Sequence, residues 1–176
     1  MNLKRILMFI AASVLMASCS GTDGGSGHNH SQYAGEEKQA IKALSEREVA
    51  GYLRGDGMRM ALAAELNGYP GPRHILENED SLGLTAEQKE KVQEAFDGMT
   101  RDAQSLGKRL VDKETELDRL FAEKKIDGGR LPEYLAEIGR INAELRSVHL
   151  RTHLEMVKVL TPGQTAQYNR LRGYTE

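Results

Sequence analysis

From residue 86 onward apolar side chains recur at alternating steps of four and three: Val92, Phe96, Met99, Ala103, Leu106, Leu110, Leu117 and Leu120, with only Lys113 interrupting. That spacing keeps one stripe of a helix apolar along its length, so the pattern predicts a continuous helix over 86–125. At about 1.5 Å per residue such a helix spans roughly 60 Å. Gly107 inside it costs on the order of 1 kcal/mol and marks a candidate bend. Asp127-Gly128-Gly129 stops the helix, and Pro132 stands near the start of the next one, where a missing N–H is tolerated. A matching seam follows over 131–159: Leu131, Leu135, Ile138, Leu145, Thr152, Met156 and Val159. Two such helices joined by a tight turn form an antiparallel hairpin. From 148 a second apolar side develops (Val148, Leu150, Leu154, Val157). That half of the helix therefore needs a further neighbour: the short N-terminal helices, a last helix at 162–172, or a second subunit.

Ahead of the hairpin the chain reads as short helices, with no credible strand. EKQAIKAL at 37–44 is one helical stretch. Ser45 and Glu48 have the spacing of a capping box and start another, through Arg54, closed by Gly55. MRMALAAEL at 58–66 is a third, ended by Asn67-Gly68. YPGP at 69–72 is a turn. RHILENEDSL makes a brief helix that ends at Gly83. The expected fold is all-α: a long antiparallel helical hairpin with short flanking helices, in one domain over 38–176.

The two ends change the picture of where this domain works. MNLKR, an apolar run from Ile6 to Met16 and the small residues Ala17 and Ser18 read as a secretory signal over 1–18, too short for a spanning helix. Cys19, the only cysteine, stands where a lipoprotein signal places its lipidated residue, although Met16 occupies the position where Leu is usual. Residues 19–37 are rich in Gly and Ser and read as a flexible tether. The expected location is the cell envelope, facing the periplasm, with a membrane contacted only through the lipid. Removing 1–18 takes away Lys4 and Arg5 and no acids, leaving 22 basic and 26 acidic side chains and a formal charge of −4. Such a balance gives no basic field for nucleic acid. A single cysteine excludes an internal disulfide, and with no Trp and three Phe the core falls to Leu, Met, Ala and Val.

One short word occurs twice, as Leu84-Thr85-Ala86-Glu87-Gln88 and as Leu160-Thr161-Pro162-Gly163-Gln164. Each Thr is a good N-cap, and each Gln at the third helical position reaches back to the cap amide, a reciprocal capping box worth roughly 1 kcal/mol. Pro162 takes the first helical position, where proline belongs. The hydrophobic staple is absent, because Lys89 and Thr165 stand where its apolar partner would be.

One cap says nothing about function, but these two bracket the hairpin. An exported, small, all-helical chain with Leu-Thr-x-x-Gln before the first long helix and after the second resembles the Spy/CpxP, or LTxxQ, family of periplasmic proteins. That family includes ZraP- and CnrX-like metal-responsive members. The resemblance covers residues 74–172. It implies a helical hairpin, often paired into a curved homodimer. It also implies an envelope-stress role: ATP-independent chaperoning of unfolded envelope proteins, or metal sensing coupled to a membrane signalling protein. Two departures stand out. Spy-like chaperones are typically soluble with a basic concave face, whereas this chain is acidic overall, with a local cluster at Lys108, Arg109, Lys113, Arg119, Lys124 and Lys125. The block 45–73 has no counterpart in the best-known members.

His149 and His153 lie four apart on a helix and project from the same side, as two metal ligands would; Met156, one turn on, could add a soft ligand for copper. The resemblance to the metal-sensing branch supports that position, with zinc, copper or nickel as the ion. Further ligands would come from His74, Met58, Met60, Glu77 or Glu79. The alternative is a histidine pair packed inside a bundle, with Met156 filling core. No nucleophile-and-base pair, phosphate loop or Cys/His zinc signature is present, so an enzyme is not expected. The leading expectation is a chaperone-like envelope lipoprotein, followed by a metal-responsive sensor and by a structural spacer.

Overall fold

The computed structural model describes residues 31–174. The expected signal segment, Cys19, His28 and His30 lie outside the described residues. Every regular element within them is helical: a single 3-10 turn at Glu36–Lys38, then α1 (Glu46–Arg54), α2 (Leu62–Glu65), α3 (Pro72–Glu77), α4 (Ala86–Ala122), α5 (Leu131–Val159) and α6 (Pro162–Leu171). The chain is all-α and built on the α4–α5 hairpin, as the periodicity predicts.

The antiparallel pairing is fixed by cross-helix contacts whose numbers rise on one side as they fall on the other. Tyr134 donates to Glu116 at 2.8 Å, Lys113 pairs with Glu137 at 3.0 Å, and Gln88 reaches the Val159 carbonyl at 2.9 Å. Helix α4 stops because Lys124 takes a left-handed φ of 55° and the Lys125 N–H returns to the Leu120 carbonyl at 2.8 Å.

Apolar burial falls into two clusters. Ala103, Leu110, Leu117, Ile138, Ile141 and Leu145 fill the hairpin toward its turn, with Tyr52 of α1 packed against them. Ile75, Leu82, Leu84, Val92, Met156, Leu160 and Tyr168 fill the open end. The seam of α5 is therefore rotated from the expected one: Leu135 is 53% exposed, and Ile141 is buried instead. On the second apolar side Val148 is buried, while Leu154 remains 51% exposed and Val157 is exposed as well.

Three short predictions need correction. Residues 37–44 do not continue as a helix: Gln39 turns extended, and the segment is pinned by the Lys42 amide and ammonium to Asp118, both at 3.1 Å. Eight residues cannot recover the cost of helix nucleation on their own. Residues 58–61 are turn rather than helix, since Met58 and Arg59 have φ of 45° and 64°. The brief helix expected over 73–82 ends at Glu77, before Gly83. The local basic cluster is laced with acids, because Lys108, Arg109, Lys113, Arg119 and Lys125 each have a carboxylate partner.

Gly107 has a packing role. It is where α1 crosses α4, and a Cβ there would overlap the backbone carbonyl of Tyr52, leaving only 2.7 Å to its carbon. Gly139, in the middle of α5, has open space around it. Gly107→Ala is therefore expected to lower stability by about 1–3 kcal/mol through overpacking. Gly139→Ala should raise it by about 1 kcal/mol through helix propensity. Denaturant unfolding of both variants checks the pair, and equal effects would contradict the crossing.

Candidate functional site

The two Leu-Thr-x-x-Gln words meet in space. In each, the Thr side chain accepts from the Gln backbone N–H at 3.2 Å and the Gln Oε1 accepts from the Thr backbone N–H, at 3.0 Å for Thr85 and 2.9 Å for Thr161. The side-chain amides then face each other. Gln88 Nε2 donates to Gln164 Oε1 at 2.8 Å, and Gln164 Nε2 donates to Gln88 Oε1 at 3.0 Å. What remains of each amide is spent on backbone: Gln88 on the Val159 carbonyl, Gln164 on the Leu82 carbonyl at 3.3 Å. Leu84 and Leu160 are buried beside them in the open-end cluster.

Fastening α6 in this way carries Tyr168 into the interior. Its hydroxyl donates to Glu65 Oε1 at 2.6 Å and accepts from the Gly71 N–H at 3.1 Å. Glu65 is only 7% exposed, and Tyr174 donates to the same oxygen at 3.1 Å. Arg172 Nε lies 3.4 Å away as an ion-pair partner, without an aligned hydrogen bond. Burial first, and then the neighbouring carboxylate, hold the Tyr168 phenol protonated far above its ordinary range. A buried carboxylate persists because these groups satisfy it.

The YPGP turn is pressed between this network and α5. His153 Nδ1 lies 2.7 Å from the Tyr69 carbonyl and 3.7 Å from Glu65 Oε2. A carbonyl only accepts, so Nδ1 carries a proton and donates it there. A Cβ on Gly71 would come within 3.0 Å of the His153 ring, so glycine is what lets the turn approach. His149, one turn earlier, is 2% exposed, and its Nε2 has no hydrogen-bond partner. Burial, with a smaller contribution from His153, pushes its pKa down and favours the neutral ring. An unpartnered buried nitrogen costs about 1–3 kcal/mol.

Both histidines line one cleft of about 240 Å³. Its walls include Met58, Glu65, His74, Phe96 and Met99. The strained pair Met58 and Arg59 forms one rim, in a conformation that costs of order 1–3 kcal/mol per residue. The structure thus brings His149 and His153 together and separates Met156 from them. Met156 is fully buried among Ile75, Val92 and Tyr168 in the open-end cluster. Of the further candidates, Met58 and His74 reach the cleft, the latter bonded to Glu77 at 2.7 Å. Met60 packs on the hairpin core, and Glu79 pairs with Lys89. Sequence reasoning missed Glu65, Tyr168, Arg172 and Tyr174. Glu65 and Tyr168 are 103 residues apart, and only the lone acid within an apolar window could have pointed to Glu65.

A helical hairpin whose open end is fastened by paired caps, with an imidazole-lined cleft beside them, defines a small all-helical protein. A family model described as heavy-metal resistance matches residues 6–167, and the chain belongs to that family. The family covers Spy/CpxP- and ZraP-like proteins, is typically periplasmic and is not an enzyme family. No curated protein and no solved structure matches the chain. Among the described residues no helix is long and apolar enough to cross a membrane.

Removing Gln88 and Gln164 singly and together should show a coupling energy of about 0.5–1.5 kcal/mol, since each amide satisfies the other. Strict additivity in a double-mutant cycle would mean that the caps act independently. Tyr168→Phe leaves the Glu65 carboxylate and the Gly71 N–H short of a partner and should cost about 1–3 kcal/mol in chemical denaturation.

Proposed function

We propose that this protein is an exported heavy-metal-binding protein whose ligand set begins with His149 and His153. The observation that carries this reading is His149, which lines the cleft and whose buried Nε2, like Asn169 Oδ1 and Arg172 Nε, has no hydrogen-bond partner. Native interiors rarely leave a polar atom orphaned without a functional reason. The second imidazole is already oriented as metal-binding histidines are, with its other ring nitrogen held by a backbone carbonyl. Family membership supports the same reading. A bound ion would supply a cross-link between α5 and the segments that face it. Anchoring through a lipid on Cys19 belongs to this proposal and accounts for the lone thiol.

A second reading is client binding without ATP, supported by the exposed Leu154, Val157 and Leu171 on the C-terminal helices. Such a surface holds unfolded chain, or a second copy, by non-directional burial. Carboxylate pairing along α4 removes the basic face that would attract acidic clients.

Calorimetric titration with zinc, nickel and copper tests the first reading. One equivalent of at least one ion should bind with micromolar or tighter affinity, and binding should disappear in His149→Ala/His153→Ala. At roughly a hundredfold excess over Kd the ion should add about 2.7 kcal/mol of stability. No heat and no thermal stabilisation with any ion would reject metal binding. The client-binding reading instead predicts that suppression of aggregation survives in the double variant.

A further inference from the structure

The cleft that receives His149 is also where methionine gathers. Three of the seven methionines, Met1, Met8 and Met16, lie outside the described residues. Met60 packs on the hairpin core and Met156 is buried in the open-end cluster. The other two, Met58 and Met99, come from different elements and both line this cleft. Each is only partly buried. Met58 arrives by way of two consecutive left-handed residues, Met58 at φ 45° and Arg59 at φ 64°. Gly51 makes room for its thioether, since a Cβ there would stand 2.5 Å from Met58 Sδ. Core packing does not require a strained loop to hold a methionine half-exposed.

The harder donors do not complete a site here. Among the described residues no group of three or more His, Cys, Asp or Glu is arranged to hold a metal ion. Glu65 spends Oε1 on two tyrosine hydroxyls and the Arg172 charge, and its Oε2 lies 3.7 Å from the His153 Nδ1–H. Zinc ordinarily takes four nitrogen, sulfur or oxygen ligands, and calcium or magnesium takes more oxygens; the third imidazole of the lining, His74, is bonded to Glu77. Thioether sulfur is a soft donor that selects copper(I), and imidazole accompanies it readily. Thioethers are neutral donors, in a cleft whose charged lining is Glu65, Arg59 and Arg73. On the reading that this cleft binds metal, we propose that it is a site for a soft monovalent cation of the copper(I) class. Its ligands are the thioethers of Met58 and Met99 and Nε2 of His149 and His153. Such an ion ties the strained rim, α4 and α5 to one another.

Silver(I) in chloride-free buffer is a redox-inert probe for this ion class, used on the full chain carrying Cys19→Ser so that the thiol does not compete. One equivalent should bind more tightly than zinc or nickel. Met58→Leu/Met99→Leu should weaken silver by at least tenfold while leaving any zinc or nickel binding unchanged. Leucine replaces methionine at little cost in packing, and thermal unfolding checks that the variant is folded. Silver-edge absorption on the unsubstituted cleft gives a readout independent of any variant, with both sulfur and nitrogen scatterers expected. Silver affinity unchanged in the methionine variant, or a shell without sulfur, would overturn the soft-ion assignment. Zinc or nickel binding that depends on the histidines alone would do the same while leaving the metal-binding reading standing. Absence of binding by every ion would sink both.

Discussion

A primary amide can donate and accept at once, and Gln88 and Gln164 use both capacities on each other. Each oxygen closes its own helix cap while receiving the partner's N–H, and each nitrogen also serves a backbone carbonyl. The constraint is specific in its chemistry. A glutamate keeps the cap and loses the donor, and a shorter amide cannot span the gap. One reciprocal contact therefore joins the start of α4, the end of α5 and the start of α6. The hairpin turn covalently fixes one end of the α4–α5 pair, and the amide clasp fixes the other.

Everything at the hairpin's open end follows from where α6 is then obliged to lie. Tyr168 is carried across to Glu65 and Gly71, which draws the YPGP turn down onto α5. That turn supplies the carbonyl that sets the His153 tautomer, and Gly71 permits the close approach. The satisfied part of the network is dense, with hydroxyls, guanidinium and carboxylate matched within a few ångströms. His149 sits one turn away with nothing to bond. Glu65 Oε1 is the hub of that network, whereas Oε2 has only His153 near it, at 3.7 Å.

The hairpin was legible because its signal is long and repetitive: eight apolar positions at helical spacing leave little freedom for α4, and three of the caps are simple local chemistry. Short elements were less legible. Residues 37–44 and 58–61 have helical composition, yet a backbone-to-Asp118 contact and two left-handed residues decide their conformation, and neither is local in sequence pattern. Leu135 was assigned to the wrong face because a seam read at fixed steps ignores which residues the partner helix can reach, and Ile141 fills the place instead. At the site, His149 and His153 were visible from spacing, whereas Met156 looked equivalent on the same helix and points into core. Glu65 and Tyr168 were invisible: they come from elements far apart in the chain and carry no motif. The repeated word was legible as two caps, but its pairing was not, since capping geometry alone does not say that the two glutamines touch.

The imidazole nitrogens themselves report most directly on whether this cleft is a metal centre. Nitrogen-resolved NMR of the five histidines, in the Cys19→Ser chain, separates His149 and His153 from His28, His30 and His74. On addition of one equivalent of silver(I), the Nε2 resonances of His149 and His153 should move together, with His28 and His30 unchanged. Shifts confined to His28 and His30, or no shift in any ring, would contradict the account and leave His149 as a packed side chain.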